Sequence, residues 1–147
     1  MAGSILGTRV QRKEDPKFLT TGGVYVDDLS EELLNGALHV VYARSAVAHG
    51  TILSIDADEA RSMPGVIDVL TAESLGLEPV PAAFNPMVAR TLLASEKVRF
   101  VGEPVAVVVA ETHAQAVDAV EAVWADIEPL DAVISLDDAL RDETLLF

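Results

Sequence analysis

The chain has 147 residues, half of them apolar, and its 24 acidic and 10 basic residues give a formal net charge of −14. A chain of this length buries one usable core, so we expect a single domain. The negative charge would repel a phosphate backbone, which argues against nucleic acid as a partner. Because the chain contains no cysteine, it has no disulfides, thiolate metal sites, iron–sulfur ligands or cysteine nucleophile.

The apolar residues are distributed in short runs, and the longest uninterrupted run covers residues 105–110. A helix needs roughly 20 apolar residues to cross a bilayer, so we expect no membrane partner. The first six residues have neither the basic start nor the apolar stretch of a secretory signal. These features predict a soluble, cytoplasmic protein.

The N-terminal part is polar and rich in turn-forming pairs such as Gly22-Gly23. We predict an extended arm over residues 1–30, followed by one folded domain over residues 31–147. The arm contains the one basic cluster of the chain, namely Arg9, Arg12, Lys13 and Lys17. Solvation is the ordinary interpretation of this cluster, and docking on an acidic partner surface is the alternative.

The folded domain is predicted to begin with two strands, at residues 38–43 and 52–55, where branched and aromatic residues lie between turn signals. Residues 56–63 then form a short helix, with Asp56 or Asp58 as its cap and Pro64-Gly65 at its end. A third strand follows at residues 66–70.

The middle of the domain mixes weak and strong signals. One turn of helix is predicted from Thr71 to Gly76, and the proline-rich residues 78–94 are predicted as a loop. Residues 98–110 form the strongest β-type run, in which Pro104 predicts either two strands or one bent strand.

The last elements are a helix over residues 113–123 capped by Thr112, a strand over 124–127, and a closing helix over 136–140 capped by Ser135. Strands separated by short helices, without a strict βαβ repeat, predict an α+β fold. We expect a mixed sheet flanked by short helices on one side.

Histidine is the first residue type to consider for catalysis or metal binding, and the chain has His39, His49 and His113. None has a second histidine or a carboxylate at a ligand spacing, so a metal site would require convergence in space. We expect hydrogen-bonded or exposed histidines.

Carboxylate pairs are the second candidates for chemistry: Glu14 and Asp15, Asp27 and Asp28, Glu31 and Glu32, and Asp137 and Asp138. Adjacent acids in polar segments remain solvated unless burial separates their pKa values, so we interpret them as surface. The glycines form no phosphate-binding pattern and no serine lies in a G-x-S-x-G elbow.

Three ordered stretches carry a resemblance to a known family. They are residues 7–28, ending in YVDD, residues 36–71, with ILSID and PGV, and residues 98–130, beginning VRFVGEPVA. In this order and spacing they resemble the large subunit of the molybdenum hydroxylases, which include xanthine dehydrogenase, aldehyde oxidase and aerobic carbon monoxide dehydrogenase. Within this family, the sequence resembles the carbon monoxide dehydrogenase-like branch more closely.

The resemblance implies the N-terminal α/β hammerhead domain of that subunit. The family's molybdopterin-binding regions and catalytic glutamate have no matching positions here, so we assign no catalytic, cofactor-binding or metal-binding residue. Two positions depart from the family pattern: Ala46 replaces the proline of an Arg-Ser-Pro triplet, and Trp124 opens a strand that is usually acidic and tyrosine-containing. The large apolar Trp124 should be buried or meet a partner.

The turn Gly102-Glu103-Pro104 is the most specific element of the resemblance. Glycine permits a conformation that other residues avoid and proline fixes the chain direction, so we interpret this turn as architecture.

The leading hypothesis is a non-catalytic scaffold domain of a molybdopterin-dependent oxidoreductase, either a fragment or one component of a split large subunit. The apolar end at residues 145–147 favours interruption of a longer chain. The resemblance implies three kinds of partner: the remaining large subunit or a separate cofactor-binding chain, an iron–sulfur subunit and a flavin subunit. The alternatives are a stand-alone binding or assembly module and, more weakly, a small-molecule enzyme built on dispersed carboxylates.

Overall fold

The computed structural model describes residues 12–23, 25 and 34–147. Contacts divide the chain into two compact units, Met1–Asn35 and Gly36–Phe147. In the described part of the first unit, helix α1 spans Asp15–Thr20, with proline in its first turn, where the missing N–H costs no hydrogen bond. The stretch predicted as an extended arm therefore contains a short helix.

The second unit contains eight strands and three short helices. The strands are β1 His39–Arg44, β2 Gly50–Asp56, β3 Val66–Thr71, β4 Val80–Ala82, β5 Asn85–Arg90, β6 Lys97–Val98, β7 Pro104–Ala110 and β8 Trp124–Pro129. The helices are α2 Asp58–Ser62, α3 His113–Val120 and α4 Leu136–Leu140. The predicted α+β class is confirmed. No helix within the described ranges is long and apolar enough to cross a membrane.

The strands are distributed over three small sheets, with orders β1-β7-β3, β6-β2-β8 and β4-β5. Neighbouring strands in each sheet are antiparallel. The strong run at residues 98–110 forms two strands, as predicted, and these belong to different sheets. The separation is made by the turn before β7, where Gly102 has a φ of 87° and Pro104 is the first strand residue.

The core forms around β7, the central strand of its sheet. Its alternate residues Ala106, Val108 and Ala110 are fully buried and share one face. Helices α2 and α3 contribute Ala60, Ala116 and Ala119 to the same buried cluster. Small side chains at these positions let the helices approach the sheet closely, and Val69 of β3 completes the layer.

Both caps predicted for the later helices are confirmed. The Thr112 side chain accepts a hydrogen bond from the Gln115 amide at the start of α3, and Ser135 accepts one from Asp138 at the start of α4. Helix α3 ends at Val120, three residues before its predicted end, and a turn leads from it into β8.

One prediction for residues 71–94 holds and one is wrong. The predicted single turn of helix is present as a hydrogen-bonded turn over residues 72–76, in which the Leu75 amide donates to the Thr71 carbonyl and the Thr71 and Ser74 hydroxyls accept from each other's amides. The predicted loop contains the β4-β5 hairpin. Its prolines are compatible with strands because both strands of an isolated pair are edge strands, where an outward N–H is dispensable.

Candidate functional site

Two connections meet at the turn that precedes β7. The Ser45 amide donates to the Glu103 carbonyl at 2.9 Å, and the Gly102 amide donates to the Ser45 carbonyl at 2.8 Å. The Arg44 guanidinium donates to the Gly102 carbonyl at 2.9 Å. These reciprocal bonds join residues 44–45 to residues 102–103, and we call this region the turn junction.

Glu103 is the buried carboxylate of the turn junction, with 3% of its surface exposed. Its Oε2 atom accepts a hydrogen bond from the Arg99 amide at 2.5 Å, and its own amide donates to the Phe100 carbonyl. A carboxylate that closes its own turn in this way supports the architectural interpretation of the Gly102-Glu103-Pro104 sequence.

Replacing Glu103 with alanine is expected to lower the free energy of unfolding by about 2 kcal/mol, because the Arg99 amide loses its acceptor. Glu103→Gln is the matched control, since its amide oxygen can still accept that bond, and we expect less than half the loss. Urea unfolding followed by circular dichroism measures both. An alanine variant as stable as the parent chain would contradict the structural role of Glu103.

Arg44 of the turn junction and two further arginines, Arg90 and Arg99, each place the guanidinium over an aromatic ring. Arg44 stacks on Tyr42 at 5.3 Å, Arg90 on Phe100 at 5.8 Å and Arg99 on Phe147 at 4.9 Å from the ring centroid. Within the described residues, the ion pairs engage Arg61 and Arg141, whereas these three arginines form none. We call Arg44, Arg90 and Arg99 the stacked arginines.

A groove of about 540 Å³ opens beside the turn junction. The hairpin β4-β5 forms one wall, with Val80, Phe84 and Arg90, and the turn junction forms the other. Arg44, Phe100 and Glu103 lie on that second wall. The groove therefore combines aromatic and aliphatic surface with two cations and one buried carboxylate.

The structure places the histidines in two environments. His39 and His113, far apart in sequence, have ring centroids 6.2 Å apart in an edge-to-face arrangement, a proximity that their sequence spacing did not predict. His49 is buried, and its Nδ1 lies 2.7 Å from the Asp131 carbonyl, so Nδ1 donates. Its Nε2 atom has no partner. No cluster of three metal-ligating side chains occurs in the part of the chain that the structure describes.

The charged candidates are largely at the surface. Arg12, Lys13 and Lys17 are exposed, as are Glu14 and Asp15. Of the last acidic pair, Asp137 is exposed and Asp138 is half-buried and paired with Arg141. Arg9, Asp27, Asp28, Glu31 and Glu32 lie outside the described residues. Among the described residues, the structure gathers none of these charged candidates into one site.

Large apolar side chains are unusually exposed in the described part of the second unit. Phe84 and Met87 of the hairpin region are each 86% exposed, and Trp124 at the start of β8 is 70% exposed. Trp124 is thus not buried by this chain, which leaves contact with a partner as the expectation for it. Exposed aromatic and aliphatic side chains of this size are candidates for contact with a partner.

Comparison with known proteins identifies close relatives. Residues 20–131 match the family model described as the aldehyde oxidase and xanthine dehydrogenase a/b hammerhead domain. The chain is 41% identical to the carbon monoxide dehydrogenase large chain of Hydrogenophaga pseudoflava, over 92% of its own length and 17% of that protein. It is 39% identical to the nicotine 6-hydroxylase large subunit of Paenarthrobacter nicotinovorans, over 89% of its own length and 16% of that subunit.

Comparison with solved structures leads to the same family. Reconstituted carbon monoxide dehydrogenase from Oligotropha carboxidovorans superposes with a TM-score of 0.75 at 37% identity. The match covers 93% of this chain and 17% of the solved chain. The hammerhead fold that the resemblance implied is confirmed, and the chain spans about one sixth of the length of these relatives.

Proposed function

The chain belongs to the aldehyde oxidase and xanthine dehydrogenase a/b hammerhead domain family, and from that membership we propose that it is a non-catalytic scaffold domain of a molybdopterin-dependent oxidoreductase. In this proposal it is a fragment or a separate component of the large subunit. The observation that carries the proposal is its coverage: the chain matches the hammerhead model over residues 20–131 but only 17% of a complete relative.

In this proposal molybdopterin binds outside the described residues of this chain. The buried polar atom that lacks a partner in the described residues, His49 Nε2, lines none of the described cavities. The described residues also gather no three metal-ligating side chains. Molybdopterin therefore enters the proposal as a group bound by the rest of the large subunit, and this chain contributes packing surface.

The proposed partners follow from the same assignment. They are the remaining large-subunit polypeptide and, within the complete enzyme, iron–sulfur and flavin subunits. We place the assembly in the cytoplasm. The exposed side chains of Phe84, Met87 and Trp124 support packing against another polypeptide, because isolated domains rarely leave so much aromatic and aliphatic surface in water.

Molybdenum analysis and dye-linked dehydrogenase assays on the purified chain test this proposal. We expect molybdenum and activity both at background, because in this proposal the cofactor site and the catalytic base belong to the rest of the large subunit. A stoichiometric amount of molybdenum, or turnover of any aldehyde or heteroaromatic substrate, would contradict a non-catalytic role.

The second candidate is a stand-alone binding or assembly module with a hammerhead fold, which the same exposed apolar residues favour. Neighbouring reading frames discriminate between the two. A neighbour that encodes the cofactor-binding part of the large subunit supports the oxidoreductase component, whereas an unrelated neighbourhood supports the independent module.

A further inference from the structure

The stacked arginines are the feature that the scaffold role leaves unexplained. The chain has a net charge of −14 and only 10 basic residues, yet Arg44, Arg90 and Arg99 form no ion pair within the described residues. Acidic side chains outnumber basic ones more than twofold, yet the two arginines that line the groove, Arg44 and Arg90, are both unpaired, so the groove is locally more positive than the chain as a whole.

These arginines are held in place before any partner binds. Arg44 stacks on Tyr42 and donates to the Gly102 carbonyl, and Arg99 donates through Nε to the Leu146 carbonyl at 2.8 Å. Stacking on a ring face leaves the edge of a guanidinium open to a planar acceptor. Fixing the side chain in advance lowers the entropy lost on binding a carboxylate.

The one acidic side chain of the groove forms no ion pair with either groove arginine. The Glu103 carboxylate is buried, and its Oε2 atom is engaged by the Arg99 amide, so it serves the turn and not a guanidinium. Arg44 and Arg90 line the groove and are available to an incoming anion.

The hairpin that forms one wall of the groove leaves apolar side chains exposed to solvent. Strands β4 and β5 form an isolated pair, and two-stranded sheets are marginally stable in water. Phe84 is 86% exposed, and Val80 is exposed beside it. The groove thus offers apolar contact on one side and cationic contact on the other, which suits an apolar polypeptide segment that carries a carboxylate.

We infer that this groove docks a carboxylate-bearing apolar segment of the remaining large-subunit polypeptide, an inference that rests on the proposed function. The relatives carry about five sixths of their length outside the matched region, which supplies the occupant. A second copy of the chain fits less well, because two bodies of charge −14 repel each other.

The probe for the test is the Hydrogenophaga carbon monoxide dehydrogenase large chain with its matched hammerhead residues deleted. Sedimentation velocity measures its binding to the intact 147-residue chain. The double variant Arg44→Glu with Arg90→Glu is expected to raise the dissociation constant by about 100-fold, because an approaching carboxylate then meets negative charge. The matched control, Arg61→Glu with Arg141→Glu, alters two exposed arginines away from the groove and is expected to change it by about threefold or less.

A second double variant tests whether weaker binding by the first is due to lost positive charge or to misfolding. Arg44→Met with Arg90→Met keeps side-chain bulk against the aromatic rings and removes the two charges together with the bond from Arg44 to the Gly102 carbonyl, so we expect a loss of binding of about tenfold or more while the chain stays folded, with a thermal midpoint lowered by a few degrees at most.

The possible outcomes distinguish failure of the docking inference from failure of the proposed function. If the parent chain does not bind the probe, the proposed function itself fails. If the parent chain binds and the charge-reversed chain binds equally well, the docking inference fails while the proposed function stands. Self-association of the parent chain that the Arg44 and Arg90 variants abolish would also overturn the inference, since the occupant would then be a second copy.

Discussion

The Val108→Asp variant is expected to be largely unfolded at room temperature, with a loss in the free energy of unfolding of about 4 kcal/mol or more. Val108 is fully buried at the centre of β7, between Val41 of β1 and Val69 of β3. A carboxylate placed there meets aliphatic side chains and no donor. Because domains of this kind are stable by about 5–15 kcal/mol, the loss removes much of the total.

Val109→Asp is the matched control for this variant. Val109 is the next residue of the same strand, so its side chain points to the opposite face, and it is only partly buried. We expect a loss of about 1 kcal/mol, since the new carboxylate remains in contact with water. Urea unfolding by circular dichroism compares the two variants, and a Val108→Asp midpoint equal to that of Val109→Asp would refute the assigned core.

The Gly50→Ala variant is expected to lose about 3 kcal/mol through steric conflict. Gly50 begins β2 and pairs with residues of both β6 and β8. A Cβ atom at this position would lie 2.5 Å from Ile127 Cγ2 and 2.8 Å from the Glu128 carbonyl oxygen. The carbonyl belongs to the backbone of β8, so relief of the contact requires movement of the strand.

Gly76→Ala separates this steric effect from backbone strain. Gly76 has a φ of 59°, and an added Cβ would meet no atom within 4 Å. We expect a loss of about 1 kcal/mol, due to the left-handed conformation alone. Thermal unfolding of both alanine variants provides the comparison, and a Gly50→Ala chain that melts above the Gly76→Ala chain would contradict the close packing of β2 on β8.

Most elements of the fold could be predicted because their signals are local. Runs of branched residues mark β1, β3 and β7, and the side chains of Thr112 and Ser135 mark the starts of α3 and α4. The distribution of strands among sheets could not be predicted, since pairing of β1 with β7 joins residues between sixty and about seventy positions apart, from Arg44 with Pro104 to His39 with Ala110. The hairpin β4-β5 was missed because proline is depleted from most strands.

The candidate site was predictable only in part. The turn Gly102-Glu103-Pro104 stood out because glycine and proline constrain the backbone, and the structure places it at the turn junction. The stacked arginines were missed because they are dispersed in sequence. Only folding brings Arg44 and Arg90 to one groove, which Phe147, the ring under Arg99, also lines. The one local signal was Tyr42, two positions before the Arg44 that stacks on it, because Phe100 stacks on Arg90 and not on its sequence neighbour Arg99.

Reconstitution of activity tests the central claim most directly. The Hydrogenophaga large chain without its hammerhead residues, assembled with its partner subunits, is mixed with the 147-residue chain, and carbon monoxide oxidation is measured together with the molybdenum content of each separated chain. We predict activity only when both chains are present, with molybdenum confined to the large-chain remainder. Activity of the remainder alone, or molybdenum retained by the 147-residue chain, would contradict the scaffold role.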